Sequence, residues 1–354
     1  MKAWKLHGIN DIRFGEAEYP VPKDDEVLVK VKAAGICGSD IPRIYETGAH
    51  QMPLIPGHEF SGEVRDIGKD VSEKWIGKRV GVFPLIPCGK CPMCRQKKYE
   101  MCRDYDYLGS RRDGAFAEYV AVPEWNLLEL PENVSFEQAA MLEPMAVAVH
   151  AARRGTDGFS IPKDAAIAVC GLGTIGSFVI MFLREAGYKN IFAIGNHGHQ
   201  RDRIKVFGVE EDNFCNAETT DAEEWLAEKT DDLKVYFECV GKNETAALGI
   251  KSAGASGRVV MVGNPYSGMS FDRDTYWRIL RNELTVLGSW NSSFQHEEDD
   301  DWHYALNRIA DGRITPVAMI SHRLRLENLK EGTRMMRDKS GGYGKMVVVE
   351  NGKF

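Results

Sequence analysis

The sequence has no surplus of positive charge. Its 45 Lys and Arg stand against 52 Asp and Glu, a net charge of −7, with the two signs interspersed. With no basic stripe to meet a phosphate backbone, no nucleic-acid partner is expected. No apolar stretch follows Met1-Lys2-Ala3-Trp4-Lys5, so no secretory leader is expected. One charge-free run approaches the length of a bilayer, Ala165 to Leu183, but Gly171, Gly173 and Gly176 interrupt it. It reads as strand, turn and helix, and no membrane partner is expected. Internal repeats and low-complexity tracts are also lacking. Eight cysteines without a leader point to the reducing cytoplasm, where thiols serve as ligands or core residues and not as disulfides.

At 354 residues the chain is long enough for two domains. Residues 1–150 read as β-rich: Val27–Lys32, Gly62–Gly68 and Gly77–Val82 alternate at period two between turn residues, as in a small barrel. From about Ile161 the pattern changes to short apolar strands (Ala166–Cys170, Asn190–Ile194, Val235–Cys239, Arg258–Val262, Leu284–Leu287) separated by helical stretches near 174–186, 201–207 and 222–229. Such alternation builds a doubly wound parallel sheet. After Gly288, helical stretches at Trp302–Ala310 and Leu326–Arg337 lead to a last strand, Lys345–Val349, with no sheet of its own to join. That strand is expected to return to the first domain. The domains are then 1–150 plus 288–354, with 151–287 inserted as the dinucleotide-binding unit.

Cys88, Cys91, Cys94 and Cys102 put four thiols at spacings of three, three and eight. The short steps let the sulfurs converge, and four thiolates around one point is the cage a structural zinc prefers. Gly171-Leu172-Gly173-Thr174-Ile175-Gly176 lies between an apolar strand and a helical stretch. There the glycines give a tight turn, close approach of a pyrophosphate and close helix packing, and Thr174 and Ile175 open the helix that faces the phosphates. At the end of the next strand, where an NAD site normally carries an acid, stand Gly195 and Asn196, followed by Arg201 and Arg203. A glycine cannot chelate ribose hydroxyls, and the two arginines could neutralise a 2′-phosphate, so NADP is expected ahead of NAD. Cys37, His58, Glu59 and Glu143 form a scattered set of S, N and O donors, the mixed kit of a catalytic zinc with an open position.

With these motifs on the page, the chain resembles the zinc-containing medium-chain dehydrogenase/reductase family. Gly57-His58-Glu59 with Gly62, Gly68 and Val71, the Cys quartet, Asp113–Tyr119, Glu143-Pro144 and the glycine motif all fall in its pattern. Within it the chain is similar to the polyol (sorbitol) dehydrogenases, above all the galactitol-1-phosphate 5-dehydrogenases, through Cys37–Tyr45, Gly48-Ala49-His50 and Gly109–Gly114. The resemblance implies an α/β fold: a GroES-like β-barrel catalytic domain with an inserted doubly wound Rossmann domain. It implies Cys37 and His58 as ligands of a catalytic zinc, with Glu59, Glu143 or each in turn completing it, and the Cys quartet around a structural zinc.

The activity implied is zinc-dependent hydride transfer between a secondary alcohol of a polyol, or polyol phosphate, and NAD(P). Ser39, two residues past Cys37, is placed to begin the proton relay. Pro42 stands where sorbitol dehydrogenases often carry a His, so a relay through that His is absent. Arg43, Arg111 and Arg112 are candidates for a substrate phosphate, and Tyr45 and Trp290 for the walls of a sugar chain. The alternative is an NADPH-preferring ketose reductase acting on an unphosphorylated substrate. A homodimer or homotetramer is expected.

Overall fold

A computed structural model describes residues 1–158, 161–350 and 352. The chain divides into two compact units, Met1–Glu143 with Ser293–Phe354, and Pro144–Ser292. The expected breaks at 150 and 288 therefore move by several residues. The first falls inside one helix, Leu142–Thr156, which the sequence pattern had not revealed. Pro144 is tolerated there because the first turn of a helix has no N–H to lose.

The first unit is built on a seven-stranded sheet. Its path runs Ile320–Leu324, Lys345–Val349, Glu26–Gly35, Glu59–Ile67, Arg79–Val82 and Leu127–Glu129, with Tyr119–Pro123 also paired to Glu26–Gly35. The alternating residues of Glu26–Gly35 bury Val27 and Val29, which share a core with Val64, Val80, Val82, Val120 and Val122. Register shifts at Leu28/Val29 and Val31/Ala33 bend this long strand, so it can serve three partners in a barrel-like sheet. The last strand does return to this unit, pairing antiparallel with Glu26–Gly35 through Val347 and Gly35. The acidic run before Trp302 is a helix start. Asp300 caps Asp301–Ala310 by accepting the His303 N–H, where a carboxylate suits the dipole.

The second unit is a six-stranded parallel sheet in the order Phe214–Asn216, Ile191–Gly195, Ala166–Cys170, Leu233–Glu238, Ala253–Met261, Thr285–Gly288. This is the doubly wound Rossmann order, whose switch point lies between Ala166–Cys170 and Leu233–Glu238. Ala165–Leu183 is strand, turn and helix, and no helix among the described residues is long and apolar enough to cross a membrane. Two helices, Asn243–Ser252 and Arg273–Arg281, were not foreseen. Gly249 weakens the helical signal of the first, yet it is the residue that fits, because a Cβ there would collide with the Tyr236 ring.

Candidate functional site

Gly171 adopts φ +96, a left-handed conformation that favours glycine. A Cβ on Gly176 would strike the carbonyl oxygen of Gly171, so the third glycine of the motif closes helix Thr174–Glu185 onto the turn. Thr174 and Ile175 open that helix, and the turn sits at the carboxyl end of Ala166–Cys170.

The loop after Ile191–Gly195 is closed by a residue not anticipated as part of it. Gln200 is buried, and its Oε1 accepts the N–H groups of Asn196 at 2.9 Å and His197 at 3.1 Å. A Cβ on Gly195 would run into that same oxygen. Gly195 is thus the position over which the Gln200 amide folds. Arg201 pairs with Glu211 at 3.0 Å, and His197 stacks on His199 at 5.4 Å. Arg203 lies in the same helix, Gly198–Lys205.

In the first unit the four thiols converge. Sγ of Cys91 lies 3.5 Å from Cys94 and 4.0 Å from Cys102, and Cys88 lies 4.0 Å from Cys94. A tetrahedral zinc with four Zn–S bonds places its sulfurs about 3.8 Å apart, so the quartet fits that ion. All eight cysteines are free. The N–H of Cys94, a residue of the short helix Pro92–Arg95, donates to the Cys91 sulfur, and backbone N–H groups pull the Cys91 thiol down to about 6. The ligand form of that sulfur is therefore favoured before any cation arrives.

The second donor group comes from two elements. Cys37 follows strand Glu26–Gly35, and His58 and Glu59 enter strand Glu59–Ile67. One ligand atom from each of Cys37, His58 and Glu59 lies within 4.8 Å of the others. Zinc ligands of this kind sit about 3.5 Å apart, so small adjustments suffice. Nδ1 of His58 and Oε1 of Glu59 are buried without a hydrogen-bond partner among the described residues. Buried polar atoms of that kind cost free energy unless something meets them; a cation at the trio would meet Glu59 Oε1, while His58 Nδ1 faces the Asp40 carboxylate at 3.5 Å. Glu143 is buried nearby in the first turn of Leu142–Thr156, but it is not in the trio. Burial, opposed by the His58 charge, pushes its carboxyl up to about 7.

Several residues shape this group. Asp40 is fully buried and accepts the Cys37 N–H at 3.0 Å. Its other oxygen lies 2.5 Å from Arg43 and 3.5 Å from His58 Nδ1. This carboxylate fixes the imidazole so that the other ring nitrogen is left for a ligand bond. Burial pulls the imidazole down, but the charges of Asp40 and Cys37 outweigh it and hold His58 well above its ordinary value. Asp40 stands in the Cys37–Tyr45 motif, and its spacing from Cys37 was the available signal. Ser39 donates to the Cys37 sulfur at 3.4 Å. Lys345 ion-pairs with Glu59; no local signal in the sequence linked them.

The expected phosphate-binding arginines are placed as follows. Arg43 is paired with Asp40. Arg112 pairs with buried Glu26 at 2.5 Å, with Asp106 at 4.0 Å. The Arg111 guanidinium lies over the Tyr105 ring at 4.5 Å, and its Nε is buried without a hydrogen-bond partner. Tyr45 hydrogen-bonds Thr333 at 2.9 Å under the guanidinium of Arg337. Trp290 is exposed, in the second unit.

Comparison with known proteins gives a consistent picture. The alcohol dehydrogenase GroES-like domain matches residues 23–132, and the zinc-binding dehydrogenase family matches residues 174–311. The chain is 31% identical over 339 residues to galactitol 1-phosphate 5-dehydrogenase of Escherichia coli, covering 96% of each. A crystal structure of galactitol-1-phosphate dehydrogenase from Escherichia coli superposes with a TM-score of 0.89 at 30% identity, over 99% of this chain and 100% of that one. Sorbitol dehydrogenase of Bacillus subtilis is 30% identical over 273 residues, 75% of each chain.

Proposed function

This chain belongs to the zinc-dependent medium-chain dehydrogenase family and is an enzyme, and from that premise we propose that it transfers a hydride between a secondary alcohol of a polyol and NAD(P). The observation that carries this reading is the convergence of half-buried Cys37 with buried His58 and Glu59, donors of S, N and O.

A zinc ion held there would supply Lewis acidity, making a substrate hydroxyl acidic enough to give up its proton near neutral pH. The protein's own contribution is orientation. Asp40 fixes the His58 ring and the Cys37 backbone, and Lys345 holds one oxygen of Glu59. Ser39, beside the Cys37 sulfur, starts the path by which the hydroxyl proton leaves, and Pro42 keeps that path from continuing through a histidine. Gly171, Gly173 and Gly176, with Thr174 and Ile175, receive the pyrophosphate. Cys88, Cys91, Cys94 and Cys102 hold a second, structural zinc.

The substrate class that the similarity favours is a polyol phosphate of the galactitol 1-phosphate kind. Of the three arginines expected to meet its phosphate, Arg111 alone has no carboxylate partner among the described residues; it is braced on Tyr105. The commitment of Arg43 and Arg112 to Asp40 and Glu26 favours a second reading, an unphosphorylated polyol or ketose handled with NADPH. At the ribose end, Gly195 and the Gln200 amide stand where an acid would chelate two hydroxyls or repel a 2′-phosphate, which favours NADP. Initial rates on sugar alcohols, their 1-phosphates and the matching ketoses, with both cofactors, decide among these. Activity on none of them with either cofactor would end the proposal.

The protein is proposed to work as a homo-oligomer in the cytoplasm. Thr285–Gly288 is an edge strand that exposes Val286, and the helix before it exposes Tyr276, Trp277 and Leu280. An uncovered apolar edge invites another strand, and a second copy of the chain supplies one by two-fold symmetry.

A further inference from the structure

Besides Asp40, two carboxylates share the neighbourhood of Cys37 and His58, and each is restrained by a different residue. Glu59 has Oε2 on Lys345, while its Oε1 has no hydrogen-bond partner among the described residues. Glu143 has Oε1 on the hydroxyl of Tyr107, which donates to it at 3.2 Å. Glu59 lies in the donor trio and Glu143 does not. The difference in position therefore coincides with a difference in partner.

Tyr107 is itself firmly placed. Its residue pairs with Leu85 in a two-stranded ribbon, and its carbonyl oxygen accepts three N–H groups, from Ser110, Arg111 and Arg112. Its ring meets His58 edge-on at 5.8 Å and Tyr105 at 6.2 Å, and Tyr105 lies in turn under the Arg111 guanidinium. A ring braced on this side, against the candidate ligand His58 on the other, offers its hydroxyl from a fixed point. A hydrogen bond from such a donor costs little ordering entropy, and it holds one of the two Glu143 carboxylate oxygens on the Tyr107 side.

We propose that Tyr107 is a positioning residue that keeps Glu143 off the metal, so that Cys37, His58 and Glu59 form the resting ligand set and a coordination position remains for substrate. This inference rests on the zinc-site reading above. Removing the hydroxyl frees Glu143 to compete for that position, as a fourth protein ligand.

The test uses the full-length protein with zinc in the Cys quartet and cobalt(II) at the Cys37 site. In Tyr107→Phe the visible cobalt bands shift, and cobalt release to a chromogenic chelator slows by about 10-fold, the scale on which partners of metal ligands act. Glu143→Gln keeps the wild-type cobalt spectrum, and the double variant Tyr107→Phe/Glu143→Gln returns to it. Unchanged bands and release rate in Tyr107→Phe overturn the proposal, as does a Glu143→Gln spectrum that departs from wild type. If wild-type protein binds no metal that Cys37→Ser removes, the zinc-site reading itself has failed, and the proposal with it.

Discussion

Lys345 and Glu59 form a buried ion pair beside Cys37, and the Lys345 ammonium also donates to the carbonyl oxygen of Ile36 at 3.0 Å. Gly35 makes room for it, since a Cβ at that position would collide with the Glu59 carboxylate. Burial alone would pull the lysine down, but the Glu59 charge outweighs it and holds Lys345 above its ordinary value. The pair restrains one oxygen of a metal-ligand candidate and leaves the other open.

Lys345→Met should strand the Glu59 charge in the interior. Breaking one side of a buried pair costs about 3–5 kcal/mol. The metal-free variant is expected to unfold at correspondingly lower urea concentration than metal-free wild type. A midpoint equal to wild type would show that the pair is not formed.

Two zinc ions per chain are expected by elemental analysis. Cys37→Ala or His58→Ala should lose one ion and all turnover while the fold is kept. Cys91→Ser should lose the other ion and lower the melting temperature, because metal binding at a closed four-thiolate site is folding free energy. Normal polyol oxidation by His58→Ala would refute the catalytic site.

Acid stability should depend on Glu26. Burial raises its carboxyl, but the hydrogen bond from Arg112, the Lys23 N–H and the Arg112 charge together hold it below its ordinary value. A carboxyl lowered on folding contributes stability above its unfolded pKa, and that contribution disappears as pH falls through the folded value. Arg112→Leu should therefore destabilise at neutral pH and move the acid-unfolding midpoint to higher pH. Circular dichroism during acid titration checks both, and an unshifted midpoint counts against the pair.

A charge placed on the exposed edge should disperse the oligomer. Val286→Asp is expected to sediment as a smaller species than wild type at equal concentration, with near-normal melting of the separated chain. Wild-type protein sedimenting as a monomer at micromolar concentration would rule out a second copy at Thr285–Gly288.

The features legible in the sequence were those whose geometry is local. The Cys quartet spans fifteen residues, and its short steps let all four sulfurs lie within 4.8 Å of one another. The Gly171–Gly176 turn and its flanking strand and helix are likewise a matter of backbone freedom and short-range packing. Period-two alternation over Val27–Lys32 marked a strand there, although the structure buries consecutive residues at both ends of Glu26–Gly35.

What tertiary structure alone decided was which partner each long charged or polar side chain would take. Arg112 and Glu26 are 86 positions apart, and Lys345 reaches Ile36 across 309. No pattern in the sequence pairs them. The pairing of Lys345–Val349 with Glu26–Gly35 carries Lys345 to Glu59, and the ribbon holding Tyr107 carries its hydroxyl to Glu143. Arginines that look available in a motif are then neutralised by carboxylates brought from elsewhere. The sequence determines which atoms can bind a metal or a phosphate, since that is chemistry of side-chain type and short spacing. The fold determines which of them remain unpaired to do so, since a buried charge takes whichever opposite charge the sheet order places within reach.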